Sequence, residues 1–166
     1  DLLIQTKSLL HQFNLKAKKR LGQHFLIDQN VLEQVVSAAE LNPQDVVIEV
    51  GPGLGFLTKE LAKKVSKVIT IELDAKFVAI LKKTLSSFSN VSIIHADILR
   101  VSPSELIERY SVGNGSYKMV ANLPYYITSP VLRHFLEASS KPQLMVVMVQ
   151  KEVGEDIVAS SGKMSL

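Results

Sequence analysis

The sequence has no cysteine among its 166 residues, which excludes disulfide bonds and thiolate metal sites and suits a reducing cytoplasm. It also has no apolar run close to the roughly 20 residues that a membrane-spanning helix needs, so we expect no membrane partner. Neither a phosphate-binding Gly-Lys-Ser/Thr loop nor a Gly-x-Ser-x-Gly nucleophile elbow is present. The histidines show no metal-binding spacing, so we expect no metal site: His11, His24, His95 and His134.

The composition is that of one globular domain. Hydrophobic residues make up 46% of the chain, enough for a substantial core, and no repeat or low-complexity linker divides it. We therefore predict one domain over residues 1–166, of which residues 1–26 form an N-terminal helix and a basic arm. The net charge of +3 weakly favours an anionic partner. The densest basic cluster is either a solvated surface or a phosphate-contacting patch for nucleic acid: Lys16, Lys18, Lys19 and Arg20.

Short β-branched runs alternate with amphipathic segments along most of the chain. The runs predict strands over 46–50, 68–71, 91–94, 119–121 and 144–149. The segments between them predict helices over 56–64, 75–85, 103–108 and 130–137, after a helix that Asp28 caps. Two of these helices are predicted to begin with a Ser-Pro pair, at Ser102 and Ser129. Repeated β-α-β units of this size predict an α/β fold with a doubly wound, mainly parallel sheet.

A glycine loop directly follows the first predicted strand. Residues 49–55 read EVGPGLG, and glycines there let the backbone approach a ligand closely. The carboxyl ends of parallel strands are where open α/β sheets bind their ligands. The loop predicts a ligand cradle that includes Glu49, Gly51, Gly53 and Gly55.

The second strand ends at Glu72, which is placed to accept hydrogen bonds from the ribose hydroxyls of a nucleoside. A nicotinamide dinucleotide fits less well, since its pattern needs a glycine where Phe56 stands. The carboxyl group of Glu49 also suits a pyrophosphate poorly. A nucleoside with a cationic or zwitterionic tail, such as S-adenosylmethionine, suits the loop better.

Two further segments reach the same predicted edge of the sheet. Asp97 follows the third strand and could accept a hydrogen bond from an adenine amino group, with Ile98 against the ring. Residues 122–126 read NLPYY and follow the fourth strand. An Asn side-chain oxygen and a backbone carbonyl can accept the two hydrogens of an adenine amine and stabilise the charge that develops on methyl transfer. Proline fixes such a turn, and an adjacent aromatic ring can stack on an extruded base.

These motifs resemble the small-subunit ribosomal RNA adenine N6,N6-dimethyltransferases. The matching segments are residues 19–26 (KRLGQHFL), 49–55, 122–126 and 150–153 (QKEV). The resemblance implies the Rossmann-like class I methyltransferase fold, S-adenosylmethionine as cofactor, and two adjacent adenines of a small-subunit RNA hairpin loop as substrate. It implies that Asn122, Leu123, Pro124 and Tyr125 form the catalytic motif, with Tyr125 stacking on the target adenine. It implies cofactor contacts from His24, Leu26, Gly51, Glu72, Asp97 and Asn122.

The sequence departs from the family pattern at three places. His24 stands where many members have Asn, and Asp156 stands where they carry a basic residue. The chain ends where members continue with a closing antiparallel hairpin and a small helical domain. We therefore expect a fragment that binds S-adenosylmethionine, methylates RNA poorly or not at all, and self-associates. It would derive from a monomeric cytoplasmic enzyme of ribosome biogenesis that acts on a small-subunit precursor.

Two other functions remain open at this point. One is the related large-subunit RNA adenine methyltransferase group that confers macrolide resistance. The GQHFL form of the motif at residues 22–26 argues against it. The other is a non-catalytic RNA-binding or transcription-factor relative of the same fold, against which the retained Asn122 and Tyr125 argue.

Overall fold

Five parallel strands form the sheet, and helices pack on both of its faces. The computed structural model describes residues 1–15, 26–110 and 115–159, with Tyr125 described by its backbone alone. The strands are β1 (Val46–Val50), β2 (Lys67–Glu72), β3 (Val91–His95), β4 (Lys118–Asn122) and β5 (Leu144–Met148). Their order in the sheet is β3-β2-β1-β4-β5, and each neighbouring pair runs parallel. The α/β fold with a doubly wound parallel sheet is confirmed.

Helices connect the strands. They are α1 (Leu2–Gln12), α2 (Gln29–Ala38), α3 (Phe56–Ala62), α4 (Ala75–Thr84), α5 (Pro103–Tyr110), α6 (Thr128–Leu136) and α7 (Lys151–Val158), with short 3-10 helices at Ile98–Arg100 and Tyr125–Ile127. No helix in the described parts of the chain has both the length and the apolar character that crossing a bilayer requires.

Successive side chains along each strand point to opposite faces of the sheet, so the core has two parts, one on each face. Val47 on β1 packs with α1, α2, α3 and α4 on one face, through residues such as Leu32 and Leu61. Ile48, its neighbour in sequence, packs on the other face with α5 and α6, for example with Phe135. A strand covered on both faces needs apolar residues throughout, and all five residues of β1 are buried, including Glu49.

An ion pair joins β4 to the loop before β1 at the amino-terminal ends of these two strands. Lys118 Nζ lies 2.9 Å from Asp45 Oδ2, and both side chains are nearly buried. Lys118 also donates a hydrogen bond to the backbone carbonyl of Glu40. These contacts hold the middle of the sheet together at the end opposite the strands' carboxyl termini.

The residues that flank the helices behave mostly as predicted. Asp28 caps α2 by accepting from Asn30 N at 2.8 Å, and Ser102 Oγ accepts from Glu105 N at 3.4 Å before α5. The predicted start of α6 at the Ser129-Pro130 pair was wrong, since the helix begins at Thr128 with Ile127 as its N-cap.

Pro130 is tolerated inside α6 because the first turn of a helix leaves its N–H groups without intrahelical acceptors. Other boundaries differ from the predictions by one or two residues. Helix α7, which begins within the QKEV segment at Lys151, was not predicted.

Candidate active site

A cavity of about 750 Å³ opens at the carboxyl ends of β1, β2, β3 and β4. It lies where the strand order reverses between β1 and β4, the position at which open α/β sheets bind ligands. Ten of the predicted site residues line this one cavity: Leu26, Glu49, Gly51, Gly53, Glu72, Asp97, Ile98, Asn122, Leu123 and Pro124. The sheet topology therefore brings together segments that lie far apart in sequence.

The glycine loop forms the floor between β1 and α3. Gly51 has a φ of 68° and donates its N–H to the carbonyl of Ile71 at 3.0 Å. A side-chain carbon at Gly51 would lie 3.9 Å from the backbone oxygen of Asn122, so the loop also runs close to β4.

Gly55 does not line the cavity, and its role is to allow the turn from the loop into α3. It is the N-cap of α3 with a φ of 82°, and a side-chain carbon there would lie 2.8 Å from Leu81 Cδ2. Both the backbone conformation and this close approach require glycine.

Glu72 joins the end of β2 to the glycine loop. Its Oε2 accepts from Gly53 N at 3.2 Å, and its Oε1 accepts from Asp74 N at 2.9 Å. Burial raises the pKa of the Glu72 carboxyl, while these N–H groups act in the opposite direction. The Leu73 N–H is a third backbone donor to Glu72, and since a carboxylate can accept about four hydrogen bonds, capacity for a further donor remains.

Glu49 is fully buried beneath the loop, with 1% of its surface exposed. The hydroxyl of Thr58 on α3 donates to its Oε2 at 2.6 Å. Burial raises the pKa of the Glu49 carboxyl to about 8, and the nearby charge of Glu72 acts in the same direction. At neutral pH the neutral form of Glu49 therefore predominates.

Asp97 and Ile98 follow β3 on the same rim. Asp97 Oδ1 accepts from Leu99 N at 3.0 Å and caps the 3-10 helix Ile98–Arg100. Its other oxygen lies 3.8 Å from the Nε of Arg100. Ile98 is buried and belongs to the core under α5 and α6, so it gives this wall of the cavity an apolar surface.

The NLPY segment leaves the end of β4. Asn122 is the last residue of β4 and pairs with Met148 on β5. Leu123 N donates to the carbonyl of Met148 at 3.3 Å. The carbonyl of Pro124 accepts from Ile127 N at 3.2 Å and from the Thr128 hydroxyl at 3.1 Å, which occupies both of its lone pairs.

Some predicted residues fall outside what the structure describes. The basic cluster Lys16, Lys18, Lys19 and Arg20, together with His24, belongs to residues 16–25, and the side chain of Tyr125 is likewise undescribed.

Several apolar residues of the cavity were not predicted from the sequence. Leu73 and Leu99 line it although they are 65% and 39% exposed, and Phe77 lines it from α4. For Leu73, the available sequence signal was its position directly after Glu72, the acidic residue that ends β2. Among the described residues, no group of three or more His, Asp or Glu side chains is arranged to hold a metal ion.

The arrangement combines three chemical features. One wall offers hydrogen-bond acceptors from Glu72 and Asp97, the adjoining surface is apolar, and the opposite side carries the polar turn at Asn122. Such a cavity fits a nucleoside-sized ligand, since small-molecule sites commonly enclose about 300–1,000 Å³.

Comparison with known proteins agrees with this architecture. Residues 14–166 match the family model described as ribosomal RNA adenine dimethylase. The ribosomal RNA small subunit methyltransferase A of Dehalococcoides mccartyi is 54% identical over the whole chain, which covers 56% of that relative. The chain thus spans about half the length of the curated relatives it matches.

Two solved structures share the fold. The 23S rRNA methyltransferase ErmE has a TM-score of 0.72 and 28% identity, over 86% of this chain and 54% of that one. A dimethyladenosine transferase from Plasmodium falciparum has a TM-score of 0.70 and 28% identity, over 84% of this chain and 48% of that one. The sheet is therefore the Rossmann-like sheet of methyltransferases. The match over residues 14–166, the 54% identity and the common fold together show that this chain belongs to the ribosomal RNA adenine dimethylase family.

Proposed function

We propose that this chain binds S-adenosylmethionine in the cavity and carries the methyl-transfer site for the N6 amines of two adjacent adenines in a small-subunit ribosomal RNA hairpin loop. The observation that carries the proposal is the convergence of the glycine loop, Glu72, Asp97 and the NLPY segment on one cavity in a member of this family. The proposed setting is ribosome biogenesis in the cytoplasm, with a small-subunit precursor as partner.

The cavity residues fit the nucleoside part of this cofactor. The Glu72 carboxylate would accept from the ribose hydroxyls, and Asp97 would accept from the adenine amine beside the apolar surface of Ile98. The curated relative's name, which specifies a small-subunit RNA methyltransferase, supports a methyl donor rather than a redox dinucleotide.

We assign the methionine end of the cofactor to the segments around the glycine loop. Gly51, Gly53 and Leu26 would contact it, with Gly55 holding the loop, and His24 is assigned there by resemblance. Glu49 lies beneath the same loop. A cationic ammonium or sulfonium group nearby would favour the ionised form of Glu49 and lower its pKa.

The NLPY residues would orient the acceptor amine. The cofactor supplies an electrophilic methyl group, and the chain contributes positioning, for which aligned reactants gain roughly 7–11 kcal/mol. Asn122 Oδ1 and the backbone carbonyl of Leu123 would accept the two amine hydrogens. We assign the carbonyl to Leu123 because that of Pro124 already accepts two hydrogen bonds. The ring of Tyr125 would stack on the extruded adenine.

A large-subunit RNA adenine methyltransferase is the second candidate, favoured by the similarity to the 23S rRNA methyltransferase ErmE. The identity of 54% to a small-subunit enzyme, against 28% to ErmE, favours the first. Only the RNA partner differs between the two candidates, so a substrate comparison separates them.

Two experiments test the proposal. Titration calorimetry of the chain with S-adenosylmethionine should show binding, and NAD as control should not bind. Methyl transfer from labelled cofactor should then favour small-subunit over large-subunit ribosomal RNA. Binding of NAD alone would overturn the cofactor assignment, and preference for large-subunit RNA would establish the second candidate. Cofactor binding without transfer to either RNA, both by this chain and by a chain extended to the length of its relatives, would favour a non-catalytic relative.

A further inference from the structure

Thr128 is a fully buried threonine whose hydroxyl points back into the NLPY segment. It is the first residue of α6, with 0% of its surface exposed. Its Oγ1 donates to the carbonyl oxygen of Pro124 at 3.1 Å. A hydroxyl in such a place needs a partner, because burying a polar group without a hydrogen bond is unfavourable.

The same carbonyl also accepts the N–H of Ile127 at 3.2 Å. Two donors from different directions therefore hold one peptide group, the one that joins Pro124 to Tyr125. Neither donor depends on the cofactor, so the turn is set before any ligand enters.

The other end of the turn is held by the sheet. Asn122 is in register with Met148, and Leu123 N donates to the Met148 carbonyl at 3.3 Å. The segment is thus fixed on one side by β5 and on the other by α6. The side chain of Thr128 is the one component of this arrangement that a substitution can remove while leaving every backbone donor in place.

We infer that Thr128 is a positioning residue of the candidate active site, whose buried hydroxyl holds the Pro124 carbonyl and thereby fixes the turn that carries Asn122, Leu123 and Tyr125. This inference rests on the proposed methyl-transfer function. By occupying the Pro124 carbonyl, Thr128 also leaves that of Leu123 as the backbone acceptor for the substrate amine. Thr128 itself touches neither substrate nor cofactor in this scheme.

The test compares Thr128→Val, which keeps the shape and loses the hydroxyl, with Thr128→Ser, which keeps the hydroxyl. In Thr128→Val the kcat for methyl transfer should fall by about 10- to 100-fold, as expected for a displaced reacting group. The Kd for S-adenosylmethionine should stay within about twofold of the unsubstituted chain, since the glycine loop is unchanged, and KM for RNA should change less than kcat. Thr128→Ser should restore most of kcat.

Thr84→Val is the matched control, because the Oγ1 of Thr84 is also buried but has no hydrogen-bond partner among the described residues. It should leave kcat unchanged. Amide hydrogen exchange provides a second measurement that needs no turnover. The N–H groups of Ile127 and Leu123 should exchange faster in Thr128→Val than in Thr128→Ser.

The outcomes separate this inference from the function on which it rests. Failure of the unsubstituted chain to bind S-adenosylmethionine would overturn the proposed function. Full kcat in Thr128→Val, with normal cofactor binding, would overturn the role of Thr128 alone. Where turnover is too slow to measure, unchanged exchange at Ile127 and Leu123 overturns it. A parallel loss of kcat, cofactor affinity and thermal stability without rescue by Ser would reduce Thr128 to a folding role.

Discussion

The Glu72 carboxylate holds the glycine loop through Gly53, with Oε2 3.2 Å from the backbone nitrogen 19 residues earlier in the chain. The second strand therefore orders the loop that follows the first. Because Glu72 also lines the cavity, one side chain both shapes the cradle and contributes a carboxylate to its wall.

Removing Glu72 should weaken cofactor binding. Glu72→Ala deletes the proposed hydrogen bonds between ribose and a charged group, each worth about 1.5–3 kcal/mol, so the Kd for S-adenosylmethionine should rise at least about tenfold. Calorimetry measures this directly. Glu108→Ala, which removes an exposed carboxylate on α5, is the control and should bind normally. An unchanged Kd in Glu72→Ala would overturn the ribose assignment.

Burial of Glu49 should make stability depend on pH. Its pKa rises from the ordinary glutamate value of 4.5 to about 8 in the folded chain, so the folded state binds the proton more tightly than the unfolded state. The contribution is fully present below pH 4.5 and is lost as pH rises towards 8, at a rate on the order of 1 kcal/mol per pH unit.

Urea unfolding between about pH 5 and pH 8.5 measures this slope. Glu49→Gln cannot ionise but can still accept from the Thr58 hydroxyl, so the slope should flatten. An identical slope in both proteins would assign the pH dependence to other groups.

Alanine substitutions at Gly55 and at Gly154 should change the free energy of unfolding in opposite directions. Gly55→Ala puts a side chain at a φ of 82° and 2.8 Å from Leu81 Cδ2, so the free energy of unfolding should fall by about 1–3 kcal/mol. Gly154 lies inside α7, where an added carbon would make an ordinary contact with Val149 at 3.6 Å. Gly154→Ala should raise the free energy of unfolding by about 0.5–1 kcal/mol. Thermal unfolding of both variants checks the pair, and equal shifts would contradict it.

Substitutions at two positions of the NLPY segment should affect turnover and RNA affinity differently. Asn122→Ala removes the proposed acceptor for the amine, so turnover should fall by about 100-fold or more with little change in the Kd for RNA. Tyr125→Ala should lower both, because stacking on a base contributes about 1–3 kcal/mol to its binding. Rate and filter-binding assays on the same RNA distinguish the two. Equal losses of affinity in both variants would contradict the assigned roles.

The basic cluster should contribute salt-dependent RNA affinity. Neutralising Lys16 and Lys18 together should flatten the plot of log K against log salt by about one to two units. The matched control neutralises Lys63 and Lys64, which lie after α3 near the amino edge of the sheet. An unchanged slope after substitution of Lys16 and Lys18 would leave the cluster a solvated surface.

The sequence by itself determined the elements and their local ends. β-branched runs specify strands because their side chains fit a buried pleated surface. The caps at Asp28, Asp74 and Ser102 depend only on residues two or three positions away. Glycine at positions 51 and 55 likewise permits the positive φ angles found there. Such short-range hydrogen bonds and dihedral preferences are readable without knowledge of the rest of the fold.

Tertiary structure decided what depends on distant segments. The strand order β3-β2-β1-β4-β5 places Asn122 beside Gly51, 71 positions earlier, and no local pattern specifies that neighbour. The neutral form of Glu49 arises because helices and neighbouring strands remove water from its carboxyl group. Burial, charge state and long-range hydrogen bonds are properties of the assembled chain, since each depends on atoms that only folding brings together.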